Sequence, residues 1–71
     1  MITTNQMLEV LVNSENLLTS IHAQQILSGA MSHECSLSLG GFMTAVMNGN
    51  YELALKLADS DNLDALHKIP D

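Results

Sequence analysis

The apolar residues of this chain recur at helical spacing along most of its length, and no segment alternates in the way typical of a half-buried strand. The first helical segment spans residues 3–12, where Met7, Leu8 and Leu11 fall on one face. One of the two threonines at its start supplies a side-chain oxygen that can cap the helix N-terminus. The pattern therefore predicts a first amphipathic helix.

The second segment, residues 14–30, is predicted to form one helix with Ser14 as its N-cap and Gly29 near its C-terminus. The alternative is that Thr19 and Ser20 break the segment and start a new helix. Its apolar residues form two clusters separated by a polar stretch, Leu17, Leu18 and Ile21 and then Ile26, Leu27 and Ala30.

Residues 31–38 lack a clear period and are predicted to form a loop before a third helix over residues 39–48. The core-facing pattern i, i+3, i+4, i+7, i+8 is occupied in that helix by Leu39, Phe42, Met43, Val46 and Met47. Two adjacent glycines near its start lower the helix propensity and permit close approach of another backbone.

Asn48-Gly49-Asn50 is the sharpest turn signal in the chain. Because both flanks have helical period, we expect the turn to join two antiparallel helices, with Gly49 left-handed and Asn50 as the next N-cap. The fourth helix is predicted over residues 51–58, and its inward face is expected to consist of Leu53, Ala54, Leu57 and Ala58. A fifth helix is predicted over residues 63–68, with Leu63 and Leu66 facing inward.

These segments predict a single all-α domain over residues 1–71. We expect a compact bundle of four to five short helices built from antiparallel helical hairpins. Residues 42–65 also resemble the helix-turn-helix body of an ankyrin-type repeat, at Ala45, Asn48, Gly49 and Glu52. The Thr-Pro-Leu-His signature of such a repeat is replaced by Gly40-Gly41-Phe42-Met43, and no second copy with a period near 33 stands out. The resemblance implies a protein-binding module without catalysis.

The chain is strongly acidic, with 2 Lys and Arg residues against 8 Asp and Glu residues and a net charge of −6. This balance argues against binding nucleic acid or an anionic membrane, because both draw on Lys and Arg. Any charged partner is expected to be basic; otherwise the charge only keeps the domain soluble.

Cys35, the single cysteine, has no intramolecular disulfide partner, and the first residues lack the positive region of a signal peptide. We therefore expect a cytoplasmic protein.

Candidate chemistry is sparse. His33, Glu34 and Cys35 are adjacent potential ligands, and His22 and His67 could complete a zinc set, but no paired ligand spacing is present. The acidic run 59–64 lacks the glycine that a calcium loop needs at its sixth position, where Asp64 stands. No phosphate loop, dinucleotide fingerprint or nucleophile elbow occurs. We expect no metal, no cofactor and no enzymatic activity.

The leading hypothesis is a small protein-binding regulator, an inhibitor, antagonist or adaptor of the kind that phage and mobile elements often encode. Its partner would be another protein with a basic or apolar surface. One alternative is a homo-oligomeric structural or assembly factor, and another is an acidic nucleic-acid mimic that blocks a DNA-binding protein. The candidate contact residues are Met43, Met47, Tyr51, Asp59, Asp61 and Asp64.

Overall fold

A computed structural model of the chain describes residues 2–30 and 40–69. Within these two ranges the chain is all-helical, which confirms the predicted fold class, and no strand occurs. The predicted loop at residues 31–38 and the position of Leu39 lie outside the described residues. The helices are α1 (Thr4–Leu11), α2 (Leu17–Ser28), α3 (Gly41–Met47), α4 (Tyr51–Leu57) and α5 (Ser60–Leu66).

Helix α1 is the centre of the bundle and packs against α2, α3 and α5. Its predicted face is confirmed, because Met7, Leu8 and Leu11 are at most 1% exposed. The helix begins with a capping box. The backbone amide of Gln6 donates to Thr3 Oγ1 at 3.2 Å, and the backbone amide of Thr3 donates to the side-chain oxygen Gln6 Oε1 at 2.8 Å. The capping residues lie at the start of α1 itself, so the local sequence determines where the central helix begins.

Helix α2 is one uninterrupted helix, as predicted, and Gly29 ends it at a φ of +82°. Its N-cap differs from the prediction: Asn16 Oδ1 accepts from the Thr19 amide at 3.2 Å. Ser14 has other partners, because its hydroxyl donates to Asn62 Oδ1 at 2.8 Å and accepts from the Asn16 amide at 3.1 Å. The helix thus begins two residues later than a Ser14 cap would place it.

Helices α3 and α4 form the predicted hairpin. Gly49 has a φ of +70°, and Asn50 Oδ1 accepts from the Leu53 amide at 3.2 Å. The neighbour found at the paired glycines is a side chain and not the expected backbone: a Cβ at Gly41 would lie 3.3 Å from Leu57 Cδ1. The other glycine of the pair, Gly40, has a φ of +112° as the N-cap of α3.

Replacing Gly49 by alanine is expected to lower the free energy of unfolding by about 1–2 kcal/mol, because a Cβ is strained in the left-handed conformation. The neighbouring space does not add to this cost, since Thr4 Oγ1 would lie 3.6 Å from the new Cβ. Urea denaturation followed by circular dichroism measures the change. Asn48→Ala, at a right-handed position of the same turn, is the control and is expected to change stability by less.

The predicted inward face of α4 is half wrong. Ala54 is fully buried, as expected, but Leu53 and Leu57 are 40% and 47% exposed. The face that packs on the core instead consists of Tyr51, Ala54, Leu55 and Ala58. Both faces satisfy helical spacing and share the two alanines, and the observed rotation places Tyr51 and Leu55 against the bundle in place of Leu53 and Leu57.

The buried core is small, and alanine contributes four of its members. Of the two residues predicted to face inward from α5, Leu66 is fully buried and Leu63 is half-buried. The pattern missed Ile69, which follows α5 and is 8% exposed. The core residues are Met7, Leu8, Leu11, Ala23, Met43, Ala45, Val46, Ala54, Ala65, Leu66 and Ile69.

Candidate functional site

The N-terminal half of α2 exposes large apolar side chains. Leu17, Leu18 and Ile21 are 75%, 65% and 51% exposed, and their spacing places them on the outer side of the helix. We call these three residues the α2 surface. An exposed cluster of large apolar residues on a small domain is typical of an interaction site.

The inward side of α2 is small and partly polar. Ala23 is fully buried, and Thr19 and Ser20 are each 8% exposed. The Ser20 hydroxyl donates to the Val12 carbonyl and accepts from Gln24 Nε2 at 3.2 Å. The described residues contain no buried side-chain nitrogen or oxygen without a hydrogen-bond partner. The Ser20 hydroxyl is therefore bonded inside the fold, and the leucines face outward.

Helix α2 is also uncharged in a chain with a net charge of −6. Residues 16–33 contain no Asp, Glu, Lys or Arg. A helix that packs on one neighbour usually has charged residues on its solvent side. On α2 the exposed positions are occupied instead by the α2 surface and by Gln24, Gln25, Leu27 and Ser28, so a partner can cover this helix without removing a charge from water.

Four acidic residues lie around the start of α2. Asn16 Nδ2 donates to Asp59 Oδ2 at 3.1 Å, which joins the N-cap of α2 to the N-cap of α5. Asp59 Oδ1 accepts from the Asn62 amide at 3.0 Å, so this carboxylate has a capping role. We call the set the acidic corner, and it consists of Glu15, Asp59, Asp61 and Asp64.

A shallow groove runs between the segment before α2 and helix α5. Three members of the acidic corner line it, and one lysine shares the groove and offsets part of the negative charge. The lining residues are Asn13, Ser14, Glu15, Asp61, Asp64, Ala65 and Lys68. Because Leu17 and Leu18 follow Glu15 and Asn16 directly, the α2 surface begins within about one helical turn of this corner.

The candidate contact residues are placed differently from one another. Met43 is 4% exposed and belongs to the core, while Met47 and Tyr51 are half-buried against it. The Tyr51 hydroxyl lies 3.5 Å from the Leu66 carbonyl, to which it donates. The fold brings Asp59, Asp61 and Asp64 together with Glu15. Whether any of these residues contacts a partner stays a prediction, and we place no contact at Met43.

The pattern of α2 contained a signal for the α2 surface. Leu17, Leu18 and Ile21 were grouped as an apolar cluster, but periodicity does not say whether a cluster faces a core or solvent. The adjacent Thr19 and Ser20 within an uncharged helix were the informative residues, because short polar side chains can lie on the inward side of a helix, as both do here.

Metal-binding and membrane-spanning features are absent from residues 2–30 and 40–69. These residues contain no group of three or more His, Cys, Asp or Glu side chains that could hold a metal ion. His33, Glu34 and Cys35 lie outside the described residues. None of the described helices has the length and apolar character needed to cross a membrane.

No known protein family, characterised protein or solved structure matches this chain. The residues that resemble an ankyrin-type unit, 42–65, comprise most of α3, all of α4 and most of α5 in the structure.

Proposed function

We propose that this protein is a small protein-binding regulator, an inhibitor, antagonist or adaptor, and that it contacts its partner through the α2 surface. The exposure of Leu17, Leu18 and Ile21 on an uncharged helix is the observation that carries the proposal. The protein acts by occupying a site on its partner, and we assign it no catalytic role.

Burial of the three exposed side chains would supply enough free energy to anchor an interface. Complete burial of a leucine or isoleucine contributes about 1.5–3 kcal/mol, and more than half of each side chain here is still accessible. A few apolar anchors near the centre of an interface commonly dominate its affinity. The α2 surface is therefore large enough to supply the anchors, and the surrounding polar residues would form the rim.

Self-association is the second candidate function, because the same apolar surface could pair with its copy in a homo-oligomeric assembly factor. Sedimentation at high micromolar concentration separates the two. A strict monomer would exclude the assembly factor. A dimer that dissociates in the double variant Leu18→Ser with Ile21→Ser would favour the assembly factor over binding to a different protein.

A nucleic-acid mimic is the remaining candidate, and the acidic corner is the observation in its favour. Such binding must weaken strongly with salt, because it depends on charge alone. Affinity for a DNA-binding partner that stays constant between about 50 and about 500 mM salt would exclude it.

Affinity capture with a matched pair of variants tests the proposal. The wild-type protein is expected to retain a stoichiometric partner from a lysate of its source organism, and Leu18→Ser combined with Ile21→Ser is expected to lose it. The control is Leu53→Ser combined with Leu57→Ser, which removes two exposed apolar side chains from α4. These exposed substitutions are expected to shift unfolding free energy by about 0.5 kcal/mol or less each.

Retention of the partner by the α2 variant, or its equal loss from the α4 variant, would contradict the proposal. Circular dichroism and urea denaturation of all three proteins exclude unfolding as the cause of a loss. The absence of any stoichiometric partner for the wild-type protein would also count against it.

A further inference from the structure

We propose that the α2 surface and the acidic corner form one composite site, and that the site recognises a basic amphipathic helix of the partner protein. This inference rests on the proposed function and adds the chemistry of the partner. The apolar row of such a helix would cover Leu17, Leu18 and Ile21, and its Lys or Arg residues would face the acidic corner.

Continuity of the two surfaces is the first argument. Glu15 and the N-cap Asn16 directly precede Leu17, and the bond between Asn16 Nδ2 and Asp59 Oδ2 at 3.1 Å holds the start of α5 beside the start of α2. A segment that covers Leu17 and Leu18 therefore ends close to Glu15 and Asp59. Carboxylates from two separate segments of the chain meet at one end of the apolar row.

Charge is the second argument, and it selects among possible occupants. A second copy of this chain would place another acidic corner near the first if the two start-of-helix regions met, and like charges brought together disfavour association. A partner with Lys or Arg beside an apolar row gains from both halves of the site. Amphipathic helices that lay one apolar face on a complementary surface are a common form of peptide recognition.

The geometry of the site also limits where the basic residues must lie. The apolar half extends from Leu17 to Ile21, and the remaining exposed positions of α2 are all uncharged. They are Gln24, Gln25, Leu27 and Ser28. We therefore expect the partner's positive charge to be concentrated at the end that meets the start of α2. Lys68 lines the same groove as Glu15, Asp61 and Asp64, so three carboxylates outnumber one ammonium group there and leave the groove negative.

Two designed helical peptides of about 18 residues provide the probe. They share the same leucine face and differ only in having Lys or Glu on the polar face. Fluorescence anisotropy is expected to show that the Lys peptide binds at least about tenfold more tightly than the Glu peptide. Amide chemical-shift changes are expected to centre on residues 15–21 and 59–64. The preference for the Lys peptide is expected to shrink as salt rises.

Matched variants separate this site from general attraction. Asp61→Lys with Asp64→Lys is expected to abolish the Lys preference, whereas Glu9→Lys with Glu52→Lys changes the net charge equally and is expected to preserve most of it. Asp61 and Glu52 both lie in the first turn of a helix, so the two pairs also carry a similar structural cost. Asp59 is left unchanged because its carboxylate caps α5. The double variant Leu18→Ser with Ile21→Ser is expected to bind the Lys peptide at least about tenfold more weakly than the wild-type protein does.

Equal binding of the two peptides would overturn the inference, as would equal effects of the two charge-reversal pairs or shift changes centred away from α2. A stable dimer of the wild-type protein that Leu18→Ser with Ile21→Ser dissolves would identify a second copy as the occupant and would also overturn it. A lysate partner that requires Leu18 and Ile21 but is indifferent to Asp61→Lys with Asp64→Lys would refute this inference and leave the proposed function standing.

Discussion

Replacing Leu66 by alanine is expected to leave a large share of the molecules unfolded at room temperature. Leu66 is fully buried among the core residues of the bundle, and deletion of a buried leucine side chain costs about 2–5 kcal/mol. A single core of this size rarely supplies more than about 3–5 kcal/mol in total. Loss of the helical circular dichroism signal, and a urea midpoint shifted to near zero, would measure the effect.

Leu18→Ala is the matched control, because it removes the same atoms from a side chain that is 65% exposed. Its free energy of unfolding is expected to stay within about 0.5 kcal/mol of wild type. A loss below about 1 kcal/mol for Leu66→Ala would show that α5 does not pack on the core as described.

Removal of the Ser14 hydroxyl is expected to destabilise the protein by about 1–3 kcal/mol, a large effect for a single oxygen atom. Ser14 and Asn62 are 7% and 5% exposed, and the hydroxyl donates to Asn62 Oδ1 at 2.8 Å across 48 positions of the chain. Ser14→Ala leaves that amide oxygen buried without this donor and also removes the acceptor for the Asn16 amide. Urea denaturation gives the free energy change.

A double-mutant cycle isolates the bond itself. Ser14→Ala with Asn62→Ala is expected to cost less than the sum of the two single changes, because the second substitution removes the unsatisfied partner. Ser28→Ala is the control: its hydroxyl donates to the Gln25 carbonyl at an exposed site, and its loss is expected to cost much less. Strict additivity would mean that the two side chains are not coupled.

Much of the helical layout follows from interactions between residues close in sequence. The face of α1, the left-handed Gly29 and Gly49, and the Asn50 cap depend on neighbours within a turn or two, and the sequence predicted each of them. The all-α class follows because every strong apolar pattern in the chain has helical period.

The rotation of a helix about its own axis could not be predicted in the same way. On α4, Leu53 and Leu57 have the same spacing as Tyr51 and Leu55, and only packing against the rest of the bundle decides which pair faces the core. The Ser14 cap was wrong for a related reason, because Asn62, the residue that accepts its hydroxyl hydrogen, is 48 positions away. Interactions of that range leave no local trace in the sequence.

The candidate site shows the same division. Asp59, Asp61 and Asp64 are near one another along the chain, so their clustering was visible from the sequence. Their position beside Glu15 and the start of α2 depends on the bond between Asn16 and Asp59, which required the structure. The exposure of the α2 surface did not follow from the sequence pattern, because an apolar face of a helix is usually expected to pack against the core.

Helix α2 packs mainly on α1, whereas α1 itself also contacts α3 and α5. We therefore expect α2 to open more readily than the rest of the bundle, in the manner of a low-stability cooperative segment. Amide hydrogens of α2 are then exchanged for deuterium sooner than those around Leu8 or Leu66. A partner that covers the outer side of α2 is expected to slow that exchange. Hydrogen exchange in this one helix would therefore show whether the α2 surface is bound.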